Sequence, residues 1–135
     1  MLGHLVEQTH QLTIVDMEAS VEHMSRGTPR HADVLLIVTE PYYRSLEAMG
    51  RIAPLAQELE IKQVYVVANK VRSQRDEEAV RRYCSERGLE ILAVLPFDDE
   101  VLEADQSGTP VLDADPESDY VRLVQQLVEK MSAVR

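Results

Sequence analysis

The run Leu12-Thr13-Ile14-Val15-Asp16 constrains this chain more than any other stretch. It is an apolar strand pattern ending in an acid, followed by Met17-Glu18-Ala19-Ser20. An aspartate at the carboxyl end of a buried parallel strand is placed to hold a Mg²⁺-bound water beside a nucleotide phosphate. That arrangement needs a phosphate-binding loop of the form G-x-x-x-x-G-K-[ST] ahead of it, and the chain has none. Its three lysines are followed by Gln63, Val71 and Met131, and its five glycines stand singly at 3, 27, 50, 88 and 108. The eleven residues before Leu12 are too few for a strand, a loop and a helix. The chain, a single domain over 1–135, reads as the back part of a nucleotide-binding domain.

Four apolar runs are continuous and rich in Val and Ile: Leu12–Val15, Val34–Thr39, Gln63–Ala68 and Ile91–Leu95. Strands covered on both faces have this pattern. Helical spacing lies between them. Arg44–Glu58 carries apolar residues three and four apart, with Pro54 predicted to kink or divide it. Arg75–Arg87 ends at Gly88. Tyr120–Val134 is the last helix, with Pro116 and neighbouring acids at its start. Leu2–Gln8 reads as the end of an earlier helix. The alternation predicts an α/β fold with an open parallel sheet of about four strands and flanking helices. Ligands bind such sheets at the carboxyl ends of the strands. The segments to read are therefore Asp16–Ser20, Glu40–Tyr43, Asn69–Arg72 and Pro96–Glu100.

A net charge of −10 argues against nucleic acid as a partner. Nine acids and no Lys or Arg fall between Asp98 and Asp119; such a run is a solvated surface or a docking face for a basic partner. Cys84 is the single cysteine. It excludes an internal disulfide and fits a cytoplasmic setting. On its amphipathic helix it is expected to be a small buried apolar group. No apolar run reaches the ~18 residues of a membrane span, and no signal peptide is visible. His4, His10, His23 and His31 share no ligand spacing on a helix and read as surface or packing residues. Tyr42 and Tyr43 are expected to pack over the helix that follows them.

Each strand end has a chemical reading beside a structural one. Asp16 would hold a Mg²⁺-bound water, or cap the next turn. Glu18 and Ser20 would orient water or phosphate oxygens, or belong to a polar loop. Asn69, ahead of Lys70, offers a donor and an acceptor that match the N6 and N7 edge of adenine; Asn is also a common turn residue. Pro96-Phe97-Asp98 stops a strand and exposes backbone groups to a base, or forms a plain strand-to-helix turn.

Taken together, these segments resemble the MinD/ParA-type (deviant P-loop, SIMIBI) ATPases. Val15 to Thr28, with Asp16-Met17-Glu18-Ala19 and Glu22-His23-Met24-Ser25-Arg26-Gly27-Thr28, is similar to their switch II region. Within them the likeness is closest to the CooC-type ATPases that mature nickel carbon monoxide dehydrogenase. Glu40-Pro41, Arg44-Ser45-Leu46-Glu47, Val66–Arg72, Leu95–Asp98 and Ala104–Gly108 also resemble that group. The resemblance runs from about Gln11 to the last helix.

The resemblance implies a partial P-loop NTPase-like sheet lacking the N-terminal P-loop strand. It implies Asp16 in the Mg²⁺ second shell and Glu18 in a switch loop that responds to the γ-phosphate. It implies adenine held by Asn69, Lys70, Pro96, Phe97 and Asp98. ATP and Mg²⁺ are the expected cofactors of a complete protein, and little or no nucleotide is expected on this chain alone. Expected partners are a second subunit or the missing N-terminal half, with carbon monoxide dehydrogenase as client. The P-loop, the switch I aspartate and the Cys-x-Cys pair of the family are not in the chain, and Ser20 stands where many relatives have Gly. The chain alone is therefore expected not to hydrolyse ATP. In the family the P-loop strand lies between the strand ending at Asp16 and Val34–Thr39. Its loss should leave those two roughly 9–10 Å apart or newly paired. Two other readings stay open: a non-catalytic module that pairs with a related ATPase, and a piece of a MinD/ParA-type positioning ATPase.

Overall fold

The structure is a computed structural model and describes residues 12–17 and 32–134. Its centre is a parallel sheet of three strands in the order β1-β2-β3, formed by β1 (Val34–Thr39), β2 (Gln63–Val71) and β3 (Glu90–Pro96). α1 (Tyr43–Glu58) joins the first two strands and α2 (Gln74–Glu86) the second two. After β3 come α3 (Asp99–Gln106), the short α4 (Val111–Ala114) and α5 (Asp119–Ala133). The α/β class and parallel sheet follow the sequence pattern.

The expected fourth strand is not there. Leu12–Val15 has no regular structure, and Ile14 is 79% exposed. It is not newly paired with β1, whose ladder runs to β2. An apolar run becomes a strand only when its backbone groups find a ladder. Among the described residues Leu12–Val15 finds none. The segment Leu2–Gln8, the four histidines and Glu18 to Thr28 lie outside the described residues.

The core fills the space between the sheet and the first two helices. Ile37, Val66 and Ala68 from the strands meet Leu46, Met49 and Ile52 from α1 and Val80 and Cys84 from α2. Successive strand residues point to opposite faces. Val67 is thus buried on the other side of the sheet from Val66 and Ala68, and α5 packs against β3. Cys84 is fully buried, as its helical position predicts. Tyr42 and Tyr43 do not cover the following helix; Tyr43 is 76% exposed.

Pro54 does not divide α1, which runs unbroken through it. Proline removes one backbone donor. Here it falls on the solvent side, while Met49 and Ile52 before it and Ala56 after it stay buried. Burial of that apolar stripe outweighs one lost hydrogen bond. The other helix ends follow local chemistry. Ser73 caps α2, accepting from the Asp76 N–H at 3.1 Å, and Asp76 accepts from the Arg72 N–H at 3.0 Å. Ser118, rather than Pro116, caps α5, accepting from the Val121 N–H at 3.1 Å. Gly88 closes α2 with φ +66°, a backbone state that glycine adopts without a Cβ penalty.

The β1–β2 register is regular from Val34↔Gln63 to Thr39↔Ala68. The β2–β3 register shifts twice. Between Ile91 and Ala93 the third strand carries an extra residue, Leu92; between Ala68 and Val71 the second strand carries one. The two bulges cancel, so Val71 meets Pro96 in the register that began at Tyr65↔Glu90.

Candidate functional site

The carboxyl ends of the three strands form one rim, and two side-chain contacts tie neighbouring ends across it. Lys70 Nζ lies 2.7 Å from Glu40 Oε1, linking β2 to the residue after β1. The Arg72 guanidinium lies over the Phe97 ring, 3.8 Å from its centroid, linking the ends of β2 and β3. Asn69, just before Lys70, is half-buried inside the β2 bulge.

The strand-to-helix turn after β1 is fixed by hydroxyls. The Glu40 N–H donates to Ser45 Oγ at 2.9 Å, and Ser45 Oγ lies 3.0 Å from Thr39 Oγ1. Thr39 is a buried polar residue whose hydroxyl is satisfied there. Glu40 is thereby presented to Lys70. The hydrogen bond to Glu40, and then its charge, hold the Lys70 ammonium above its ordinary 10.5. Both side chains are substantially exposed, so solvent screens the pair.

Lys70 itself has φ +57°, in the left-handed region. A residue with a side chain is less stable there by about 1–2 kcal/mol. The conformation marks the bulge that carries Asn69 and Lys70. Past it the ladder resumes, and the Phe97 N–H donates to the Val71 carbonyl at 3.0 Å. Asp98 then caps α3, its Oδ1 accepting from the Glu100 N–H at 2.8 Å. Tyr120, from the first turn of α5, completes the rim. Burial first, and then the charge of Asp98, push its phenol above the ordinary 10.0, while Lys70 opposes the shift.

The structure thus brings Asn69, Lys70, Pro96, Phe97 and Asp98 to one edge. Asp16 lies exposed in the irregular stretch of residues 12–17. Glu18 is outside the described residues. The rim suits a base better than a triphosphate. It offers an amide at Asn69 and an aromatic plane at Phe97. Its two cations are already engaged, Lys70 by Glu40 and Arg72 by Phe97, and phosphates need several positioned donors and cations. Among the described residues no group of three or more His, Cys, Asp or Glu could hold a metal ion.

The carboxyl ends of the strands are where open parallel α/β sheets bind their ligands, and sequence comparison assigns the family. The CbiA profile, described as the CobQ/CobB/MinD/ParA nucleotide binding domain, matches residues 4–111. The chain belongs to this family. An uncharacterized ATP-binding protein of Methanocaldococcus jannaschii is 36% identical over 124 residues, which is 90% of this chain and 49% of that protein. The carbon monoxide dehydrogenase accessory protein CooC of Rhodospirillum rubrum is 35% identical over 116 residues, 86% of this chain and 43% of that one. A ParA family ATPase of Chlorobium tepidum superposes with a TM-score of 0.71 at 27% identity over 96% of the chain and 53% of its own. MinD of Aquifex aeolicus shares the fold, with a TM-score of 0.67 at 16% identity over 78% of the chain and 46% of its own. The chain spans about half the length of these relatives or less. No helix among the described residues is long and apolar enough to cross a membrane.

Within this CobQ/CobB/MinD/ParA domain, sequence reading missed three rim residues. Glu40 and Arg72 stand in the strand-end segments, but no role follows for them from the sequence. Their partners, Lys70 and Phe97, are 30 and 25 residues away, and strand register alone brings them together. Tyr120 lies in a helix whose docking on β3 has no local signal.

Proposed function

We propose that this chain carries the base-side part of an ATP-dependent maturation factor of the CooC type, one that serves nickel insertion into carbon monoxide dehydrogenase. The similarity to the Rhodospirillum rubrum accessory protein, 35% over 86% of the chain, carries this reading. The rim supports it, because Asn69, Lys70, Pro96, Phe97 and Asp98 share one edge where an adenine would be read.

In this reading Asn69 bonds the adenine edge and the segment at Pro96–Asp98 borders it. Asp16 steadies a Mg²⁺-bound water once a phosphate-binding loop stands beside it, and Glu18 lies in the switch segment. That loop comes from beyond residues 1–135, in the same polypeptide or in a partner. Two such subunits close on ATP, and the cycle runs in the cytoplasm. The 135-residue chain alone does not turn over ATP, since the groups that position phosphates are not in it.

The test uses the protein purified from the natural reading frame that contains these residues. Together with ATP, Mg²⁺ and nickel it should activate nickel-free carbon monoxide dehydrogenase, and omission of ATP should abolish the gain. Activation that is indifferent to the protein or to ATP would overturn the reading. Steady ATP turnover by the 135-residue chain, lost on Asp16→Ala, would overturn the claim that the chain is inactive alone.

A further inference from the structure

Lys70 occupies a costly backbone state, and strand register shows what that state accomplishes. Upstream of the bulge Ala68 stands opposite Val94. Continued without interruption, that register would set Val71 opposite Phe97 and Arg72 opposite Asp98. An Arg facing an Asp across neighbouring strands is an ordinary ion pair. The extra residue in β2 moves the pairing by one, so that Val71 meets Pro96 and the Phe97 N–H donates to the Val71 carbonyl. The guanidinium then lies on an aromatic ring at 3.8 Å in place of a carboxylate. In a chain of net charge −10, Arg72 makes no ion pair among the described residues.

A second stacked arginine provides a contrast. Arg87 lies over Tyr83, 3.4 Å from the ring centroid. It also donates to the Tyr83 carbonyl at 3.2 Å and pairs with Glu86. Its role is complete within α2 and the residue after it. Arg72 is different: its guanidinium lies over Phe97, the residue is exposed, and it stands at the carboxyl end of the sheet, where such folds bind ligands.

We propose that Arg72, laid on Phe97 by the Lys70 bulge, is a stacking residue for the purine base of a bound nucleotide. This rests on the reading that the rim receives a base, and it adds the residue that grips the base's face. A guanidinium is planar, weakly hydrated and stacks on aromatic surfaces. Held over Phe97 at 3.8 Å from the ring centroid, it has less rotamer freedom left to lose when a base stacks on it. Stacking area grows with ring size, so purines gain more than pyrimidines. Lysine keeps the charge at this position but loses the plane.

The experiment is an amide chemical-shift titration of the 135-residue chain with AMP, GMP, CMP and ribose 5-phosphate. AMP is expected to move the Asn69, Arg72 and Phe97 amides and to bind more tightly than CMP. Arg72→Lys should weaken AMP about tenfold, narrow the gap to CMP and leave ribose 5-phosphate unchanged. Arg87→Ala should change none of these affinities. Urea unfolding of each variant checks that the fold is intact. If Arg72→Lys binds AMP as the parent does while Asn69 and Phe97 still respond, the stacking role is wrong and the base site stands. If ribose 5-phosphate binds as tightly as AMP, Arg72 is an anion contact and the stacking role is wrong. If AMP moves no rim amide in the parent, the stacking role and the base site fall together.

Discussion

Lys130 Nζ donates to the Leu92 carbonyl at 2.8 Å, so the last helix satisfies a backbone group of β3. Leu92 is the residue that β3 inserts between its pairs with Val66 and Val67. A bulge leaves its extra residue out of the ladder, and the lysine supplies the missing donor. Its aliphatic stem runs along the helix while its charged end reaches the strand. Lys130→Met keeps the stem and removes the donor. It should lower stability by about 1–2 kcal/mol, read as a lower urea midpoint with an unchanged slope.

The strained Lys70 makes a second prediction. Lys70→Gly and Lys70→Ala both lose the contact with Glu40, and they differ in tolerance of φ +57°. The glycine variant should be more stable than the alanine variant by about 1 kcal/mol. Equal midpoints in urea would mean that the backbone there is not held in the left-handed region.

Hydrogen exchange should separate two apolar runs that look alike in sequence. The amides of Val66, Val67 and Ala68 lie in the central strand with neighbours on both sides. Those of Leu12–Val15 have no ladder among the described residues. The first group should exchange near the global unfolding limit and the second close to the rate of an open chain. Matching protection in the two would contradict the three-stranded sheet.

One pair of acids ties stability to pH. A hydrogen bond with Asp115, and then its charge, push Glu100 above the ordinary carboxylate range. A carboxyl raised in the folded state holds its proton more tightly folded than unfolded. The like-charge repulsion is therefore present above the folded value and relieved as pH falls through it. Asp115→Asn should raise the urea midpoint at neutral pH, and that gain should shrink at about pH 4.5. A gain that is constant with pH would show that the two carboxyls do not interact.

Where a segment's environment follows from its own residues, the sequence was sufficient. Val34–Thr39 is a strand over its whole predicted length because a short run rich in β-branched residues favours a strand, even though Val38 is left 60% exposed. Arg75–Arg87 is a helix within a residue at each end because Ser73 and Gly88 bracket it. Leu12–Val15 carries the same local pattern and fails, since its pairing depends on a neighbour that the local pattern does not specify. The rim was half legible. Asn69 and Pro96–Asp98 were placed by the rule that ligands meet strand ends. The stack of Arg72 on Phe97 was not, because it depends on two bulges whose positions no single strand reveals.

The two borders of the sheet are not alike. β3 carries an inserted residue, a lysine on that residue's carbonyl and a terminal proline, features that discourage further pairing. β1 has a regular register, six uncharged residues and Val38 60% exposed. Among the described residues the two borders of the sheet therefore differ as two faces of a growing crystal do, the β1 side suiting addition better than the β3 side. A strand joining it would enter beside β1 and lengthen the ligand-bearing edge past Glu40, away from the Arg72–Phe97 stack. A strand added there would lie farthest from the end at which Arg72 covers Phe97.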